Sequence, residues 1–201
     1  MVILETREKS ADERLFSAID EGRELVAEGL LVRGAAGVNA RNTERETPLH
    51  RAIEKGMKVL ARRLVAAGAD LRARTVNGET ALHFAALHDD PYFVDLLLGA
   101  GADPRARNDD GESVLMWAAL TGNATTAQRL LNEGADPNVK DLKGNLPLHG
   151  AADGGYADVV RVLLPGTAQP LERNREGRSA RELARGRGHA EVEELLERFD
   201  K

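Results

Sequence analysis

Apolar residues return along this chain in short helical bursts separated by polar, glycine-bearing breaks. Val59, Leu60 and Leu64, and later Val159, Val160, Leu163 and Leu164, stand at the three- and four-residue spacing of an amphipathic helix. A shorter, alanine-rich burst precedes such stretches, as at Ala85-Ala86, Ala118-Ala119 and Ala151-Ala152, where small side chains let neighbouring helices approach closely. Thr or Ser stands before most of these bursts as an N-cap, and Pro takes the first helical position in two copies, where its missing N–H costs nothing. Gly56, Gly122, Gly155 and Gly188 are placed to end the shorter helix in a left-handed cap. The pattern predicts pairs of short helices with a tight reversal between them. No pair buries its apolar face alone, so each must stack on the next.

The breaks themselves repeat. Thr47-Pro48-Leu49-His50 recurs 33 residues later as Thr80-Ala81-Leu82-His83. It then returns as Ser113-Val114-Leu115-Met116, Leu146-Pro147-Leu148-His149 and the degenerate Ser179-Ala180-Arg181-Glu182. Gly78, Gly111, Gly144 and Gly177 keep the same register, as do Leu64, Leu97, Leu130, Leu163 and Leu196. Gly68-Ala69-Asp70, Gly101-Ala102-Asp103 and Gly134-Ala135-Asp136 close three units alike. A fixed period of this length marks a stacked repeat architecture.

Motif, period and ending together make residues 42 to 201 resemble the ankyrin repeat. The resemblance implies an all-α solenoid of stacked helix-turn-helix units joined by β-turns and short hairpin loops. A single domain is expected over 11–201, with repeats at 42–74, 75–107, 108–140 and 141–173, a C-terminal capping unit at 174–201, and a tail at 1–10. A diverged N-terminal capping unit is read at 11–41. It rests on Ala18-Ile19-Asp20-Glu21-Gly22 matching Ala52-Ile53-Glu54-Lys55-Gly56, and on Gly34-Ala35 matching Gly68-Ala69 at an offset of 34, one extra residue lying near Ala36-Gly37. Two loops depart from the pattern. Residues 88–93 lack the helix-ending glycine, which predicts Asp90 as N-cap with Pro91 at the first helical position. Residues 164–171 open with Leu164-Pro165-Gly166-Thr167 and shorten the fourth unit's second helix.

Composition narrows the chemistry. The 201 residues carry 28 Lys+Arg against 33 Asp+Glu, a net charge of -5, and no cysteine, which removes disulfides, thiolate metal sites and cysteine nucleophiles. Met1-Val2-Ile3-Leu4 runs directly into Glu5, Arg7, Glu8 and Lys9 without a secretory apolar region, so a cytoplasmic location is expected. No stretch is long and apolar enough for a membrane span. The serine-nucleophile elbow, the phosphate-binding loop and the dinucleotide fingerprint are missing, and the glycines of Arg185-Gly186-Arg187-Gly188-His189 sit at a helix end. Asp89-Asp90 and Asp109-Asp110 read as solvated turn residues. A nucleic-acid partner needs stacking aromatics and a broad positive field, and the chain has neither. Neither a cofactor nor a metal is expected. His50, His83 and His149 lie one per unit and cannot converge on an ion. In the family such histidines hydrogen-bond backbone within and between turns, so the resemblance makes them structural, with Gly78, Gly111 and Gly144.

The same resemblance maps function to the turn tips and to the exposed side of the first helices. The candidate contact residues are Val76, Asn77 and Glu79; Phe84, Leu87 and His88; Asp109, Asp110 and Glu112; Trp117, Leu120 and Thr121; and Leu142 and Lys143. Apolar Val76 and Leu142 gain little for the fold at an exposed tip and read as anchors. Phe84 and Trp117 either fill space between helices or extend into the groove. A basic row, Arg41, Arg74, Arg107, Lys140 and Arg173, either meets an acidic partner or pairs with turn acids such as Asp70 or Glu79. The expected function is a non-enzymatic, monomeric protein-binding module acting as scaffold, adaptor or inhibitor. A self-protection protein that occludes a partner enzyme is the alternative. A ligand-binding or catalytic role for loops 88–93 and 164–171 is the remote one.

Overall fold

A computed structural model of the chain describes residues 9–34 and 36–199. Most of the expected tail (residues 1–8), Ala35 of the first unit and the last two residues of the final unit lie outside the described residues. Twelve α-helices follow in pairs: α1 (Ala11–Asp20) with α2 (Glu24–Val32), α3 (Pro48–Glu54) with α4 (Lys58–Ala66), and α5 (Ala81–Ala86) with α6 (Tyr92–Gly99). Next come α7 (Val114–Leu120) with α8 (Ala124–Asn132), α9 (Pro147–Asp153) with α10 (Ala157–Leu163), and α11 (Ala180–Arg187) with α12 (Ala190–Glu197). The described residues hold only isolated β-bridges, such as Arg107 to Ser113, and no sheet.

The first helices of successive units pack on one another as one layer, and the second helices form the other. At every junction the first helices are the more closely packed. Ala85, Ala86, Ala118, Ala119, Ala151 and Ala152 are fully buried there, so this layer is the narrower one and the stack curves towards it. Between the layers runs one continuous core that includes Leu49, Leu60, Leu82, Phe93, Leu115, Leu130, Leu148 and Val160. At the N-terminal end the outer face of α2 stays apolar, with Leu25 84% and Val32 77% exposed.

Each unit opens with a turn that closes on itself: the amide of Asn108 donates to the Glu112 carbonyl at 3.0 Å, and Asp141 does the same to Asn145 at 3.0 Å. Each turn also donates to the one before. The amides of Val76, Asp109, Leu142 and Arg175 meet the carbonyls of Glu44, Asn77, Asp110 and Lys143 at 2.8 to 2.9 Å. The geometry needs a left-handed residue at the tip, which Gly78, Gly111, Gly144 and Gly177 supply at φ from +75° to +79°. In the first turn Arg45 holds that place at φ +60°.

Two sequence expectations are corrected. The basic row reaches a turn acid where Arg74 meets Asp109 at 3.0 Å, but it does not pair with Asp70 or Glu79. Arg41, Arg74 and Arg107 each also donate to the carbonyl of the next residue of the row, Arg74, Arg107 and Lys140, at 2.7, 3.0 and 2.7 Å. The row ends in ion pairs of Lys140 with Glu172 and of Arg173 with Glu182. Stacking the turns brings those carbonyls within reach of a long planar donor, and a guanidinium has several N–H groups to satisfy them. In the second unit, the N-cap of α6 is Pro91 and not Asp90. Proline has no N–H to offer, so the Asp90 carboxylate reaches past it to the Tyr92 amide at 2.9 Å. The fourth unit does shorten: α10 spans seven residues where α4 and α8 span nine, and a 3-10 turn, Leu164–Gly166, follows it.

Candidate functional site

The three motif histidines are buried between units. His83 Nδ1 accepts the Thr80 backbone N–H at 3.1 Å and lies 3.0 Å from Thr80 Oγ1, so the ring proton belongs on Nε2, which faces the Glu112 carbonyl at 3.4 Å. His149 repeats this with the amide of Leu146 at 3.1 Å and the Glu172 carbonyl at 3.0 Å. His50 accepts from Thr47 in the same way, while its Nε2 closes no hydrogen bond. Burial pushes His50 and His83 down to about 4, against smaller opposing contributions from the carbonyls of Glu79 and Glu112, and lowers His149 as well. The neutral rings of His83 and His149, engaged at both nitrogens, are cross-braces between units, and His50 braces its own turn through Nδ1. Among the described residues no three His, Asp or Glu side chains are placed to share a metal ion.

On the narrow layer the first helices place one side chain per unit in a row: Arg51, Phe84, Trp117, Gly150 and Leu183. Phe84 and Trp117 are half-buried with their rings 6.1 Å apart, and each meets the preceding unit's histidine edge-on, Phe84 with His50 at 5.6 Å and Trp117 with His83 at 5.3 Å. The Trp117 indole N–H donates to Glu112 at 2.8 Å. Both rings therefore form the floor of the groove more than its projecting surface. One turn further along, Leu87 and Leu120 stand 46% and 48% exposed. Val76 and Leu142 at the tips are 44% and 54% exposed. Leu87 and Leu120 stand one period apart on adjacent first helices, while Val76 and Leu142 stand two periods apart on the tip row with Asp109 between them. Ion pairs flank the first-helix row, with Arg51 joining Asp20 and Glu54 on one side and Arg187 joining Asp153 on the other.

Several of the residues read from the sequence as contact positions are engaged within the fold. Glu79 accepts from the Thr75 hydroxyl at 2.7 Å, and Glu112 from Asn108 at 2.9 Å, so both carboxylates brace their own turns. Thr121 Oγ1 lies within 3.1 Å of the Trp117 carbonyl at the end of α7. His88 Nε2 faces the Ile53 carbonyl at 2.7 Å, joining the second unit to the first. Asp109 accepts from Arg74 at 3.0 Å. The side chains of Asn77, Asp110 and Lys143 are exposed and make no hydrogen bond or ion pair among the described residues. Sequence reasoning passed over Asn123, which caps α8 at 3.1 Å and also reaches the His88 carbonyl. Its signal was a capping residue directly after Gly122.

Two layers of short helices and turns joined by backbone hydrogen bonds define a repeat solenoid. A family model of ankyrin repeats in three copies matches residues 15–108 and 88–174, and the chain belongs to the ankyrin repeat family. No curated protein matches it. Ankyrin repeats are generally protein–protein interaction modules and typically not enzymes. No helix among the described residues is long and apolar enough to cross a membrane.

Proposed function

We propose that the protein is a non-enzymatic binding module that presents its concave groove and turn tips to one folded partner, as a scaffold, adaptor or inhibitor. The observation that carries this reading is the pair Leu87 and Leu120, half-exposed at the ends of adjacent first helices beside the rings of Phe84 and Trp117, with Val76 and Leu142 half-exposed at two turn tips. Isolated exposed leucines are ordinary, but paired apolar side chains beside half-buried aromatic rings have the composition of an interface core. Lost exposure at each leucine is worth about 1 kcal/mol on partner burial, and a stable complex would bury roughly 1,200 to 2,000 Å² in all. The test is capture from lysate on three baits: wild type, Leu87→Asp with Leu120→Asp, and Val59→Asp on the opposite layer. A protein retained by wild type and Val59→Asp but lost from the double variant supports the reading. Equal retention on all three contradicts it.

A further inference from the structure

The row of first-helix side chains is interrupted at Gly150, and a depression of about 380 Å³ opens there. Met116, Leu120, Gly150 and Leu183 line it together with polar and charged residues of the third to final units. Gly150 has an ordinary helical backbone and needs no left-handed conformation, so the fold itself does not demand glycine. A glycine inside a helix is in fact unfavourable relative to alanine. What uses its missing side chain is Leu120, whose Cδ2 lies 2.9 Å from where a Cβ would sit, and the space beyond Leu120.

The charges around the depression are almost all spoken for. Glu112 accepts from Asn108 and Trp117, and Asp141 accepts the amides of Lys143 and Asn145 at 2.8 and 2.7 Å. Asp153 takes both Nε and Nη2 of Arg187 at 3.0 and 3.2 Å, and Glu176 pairs with Arg178. Lys143 remains the one lining charge without a partner among the described residues, and it is exposed at the tip beside the opening.

Resting on the reading of the concave face as a partner-binding surface, we propose that this depression seats one leucine- to phenylalanine-sized side chain of a partner protein. A carboxylate side chain within two residues of it on the partner pairs with Lys143. The apolar side chains of Met116, Leu120 and Leu183 reward burial of a single large side chain, and the unpaired ammonium selects an acidic neighbour over a basic one.

The test uses the full chain, immobilised, to select from a displayed library of random dodecapeptides. The enriched peptides are then measured against Gly150→Leu, Lys143→Glu and Leu87→Asp. The expected result is a shared large apolar residue with Asp or Glu within two positions, and a loss of at least about tenfold in affinity for both Gly150→Leu and Lys143→Glu. Replacing the peptide's acid by lysine should restore binding to Lys143→Glu. Lys143 is exposed and unbonded, so that charge exchange stands even if Gly150→Leu perturbs folding. No enrichment, or peptides indifferent to both changes, overturns the proposal. If lysate capture still depends on Leu87 and Leu120, the groove reading survives that failure; if it does not, both fall.

Discussion

Lowering the pH from 7.5 to 5 will destabilise the array through its buried histidines. At His83, Nδ1 accepts the Thr80 backbone N–H, so a second ring proton would point at another donor inside a site with no solvent. The same holds at His50. Both rings therefore stay neutral in the folded chain until about pH 4, while in the unfolded chain they take up a proton near 6.5. Above 6.5 neither state is protonated and stability is unaffected. Between 6.5 and 4 the unfolded state binds protons that the folded state cannot, so stability falls with falling pH and levels off below the folded value. The shift is worth about 3 kcal/mol per ring across the window, of which about 2 is lost by pH 5. Two rings give about 4 kcal/mol, a large part of the total stability of an ordinary domain. His149 adds in the same direction. Glu182, held at about 2 chiefly by Arg173, exerts its own effect mainly below its ordinary 4.5, beneath the interval from pH 7.5 to 5. Urea unfolding at pH 7.5 and 5.0 measures the difference, and His83→Gln should shrink it by about 2 kcal/mol while lowering stability at pH 7.5. A wild-type loss below about 1 kcal/mol, or an unchanged loss in His83→Gln, would refute the reasoning.

Three further changes follow from local geometry. Arg45→Gly should raise stability by about 1 kcal/mol, because Arg45 is the one non-glycine residue at positive φ among the described residues; thermal unfolding at neutral pH checks it. Thr126 is fully buried and its hydroxyl has no partner, so Thr126→Val, an apolar residue like Phe93 and Val159 at the same position of the neighbouring units, should stabilise by about 1 kcal/mol in urea unfolding. Arg107→Met removes the donors to the Lys140 and Gly111 carbonyls and should destabilise by about 1 kcal/mol, read as faster amide exchange at the turns around 108–112 and 141–145.

Much of the fold is written in the period. Once Thr47 and Thr80 are set in register, the helix pairs, the glycine-ended reversals and the shortened fourth unit all follow from local signals. Even the strained tip was visible, since counting back 33 residues from Gly78 lands on Arg45. The row from Arg41 to Arg173 was legible too. Its acceptors were not, because the direction of a backbone carbonyl is set by the stacked turns and leaves no trace in residue identity. The same gap explains Glu79 and Glu112, whose positions mark them as tip acids while their rotamers fold back onto Thr75 and Asn108. His88 reaching Ile53, and Leu120 leaning over Gly150, are contacts across units, which sequence spacing along one unit cannot report.

The central claim, that a partner sits on the exposed side of the first helices and the turn tips, is tested most directly by site-specific photocrosslinking in lysate. A benzophenone amino acid is placed in turn at Leu120, at Leu142, at Val59 on the opposite layer and at Leu25 on the N-terminal face. All four side chains are exposed enough to carry the probe without disturbing the core. The account predicts one discrete covalent adduct, of the same mass, from Leu120 and Leu142 and none from Val59 or Leu25. Adducts from Val59 or Leu25 alone would contradict it.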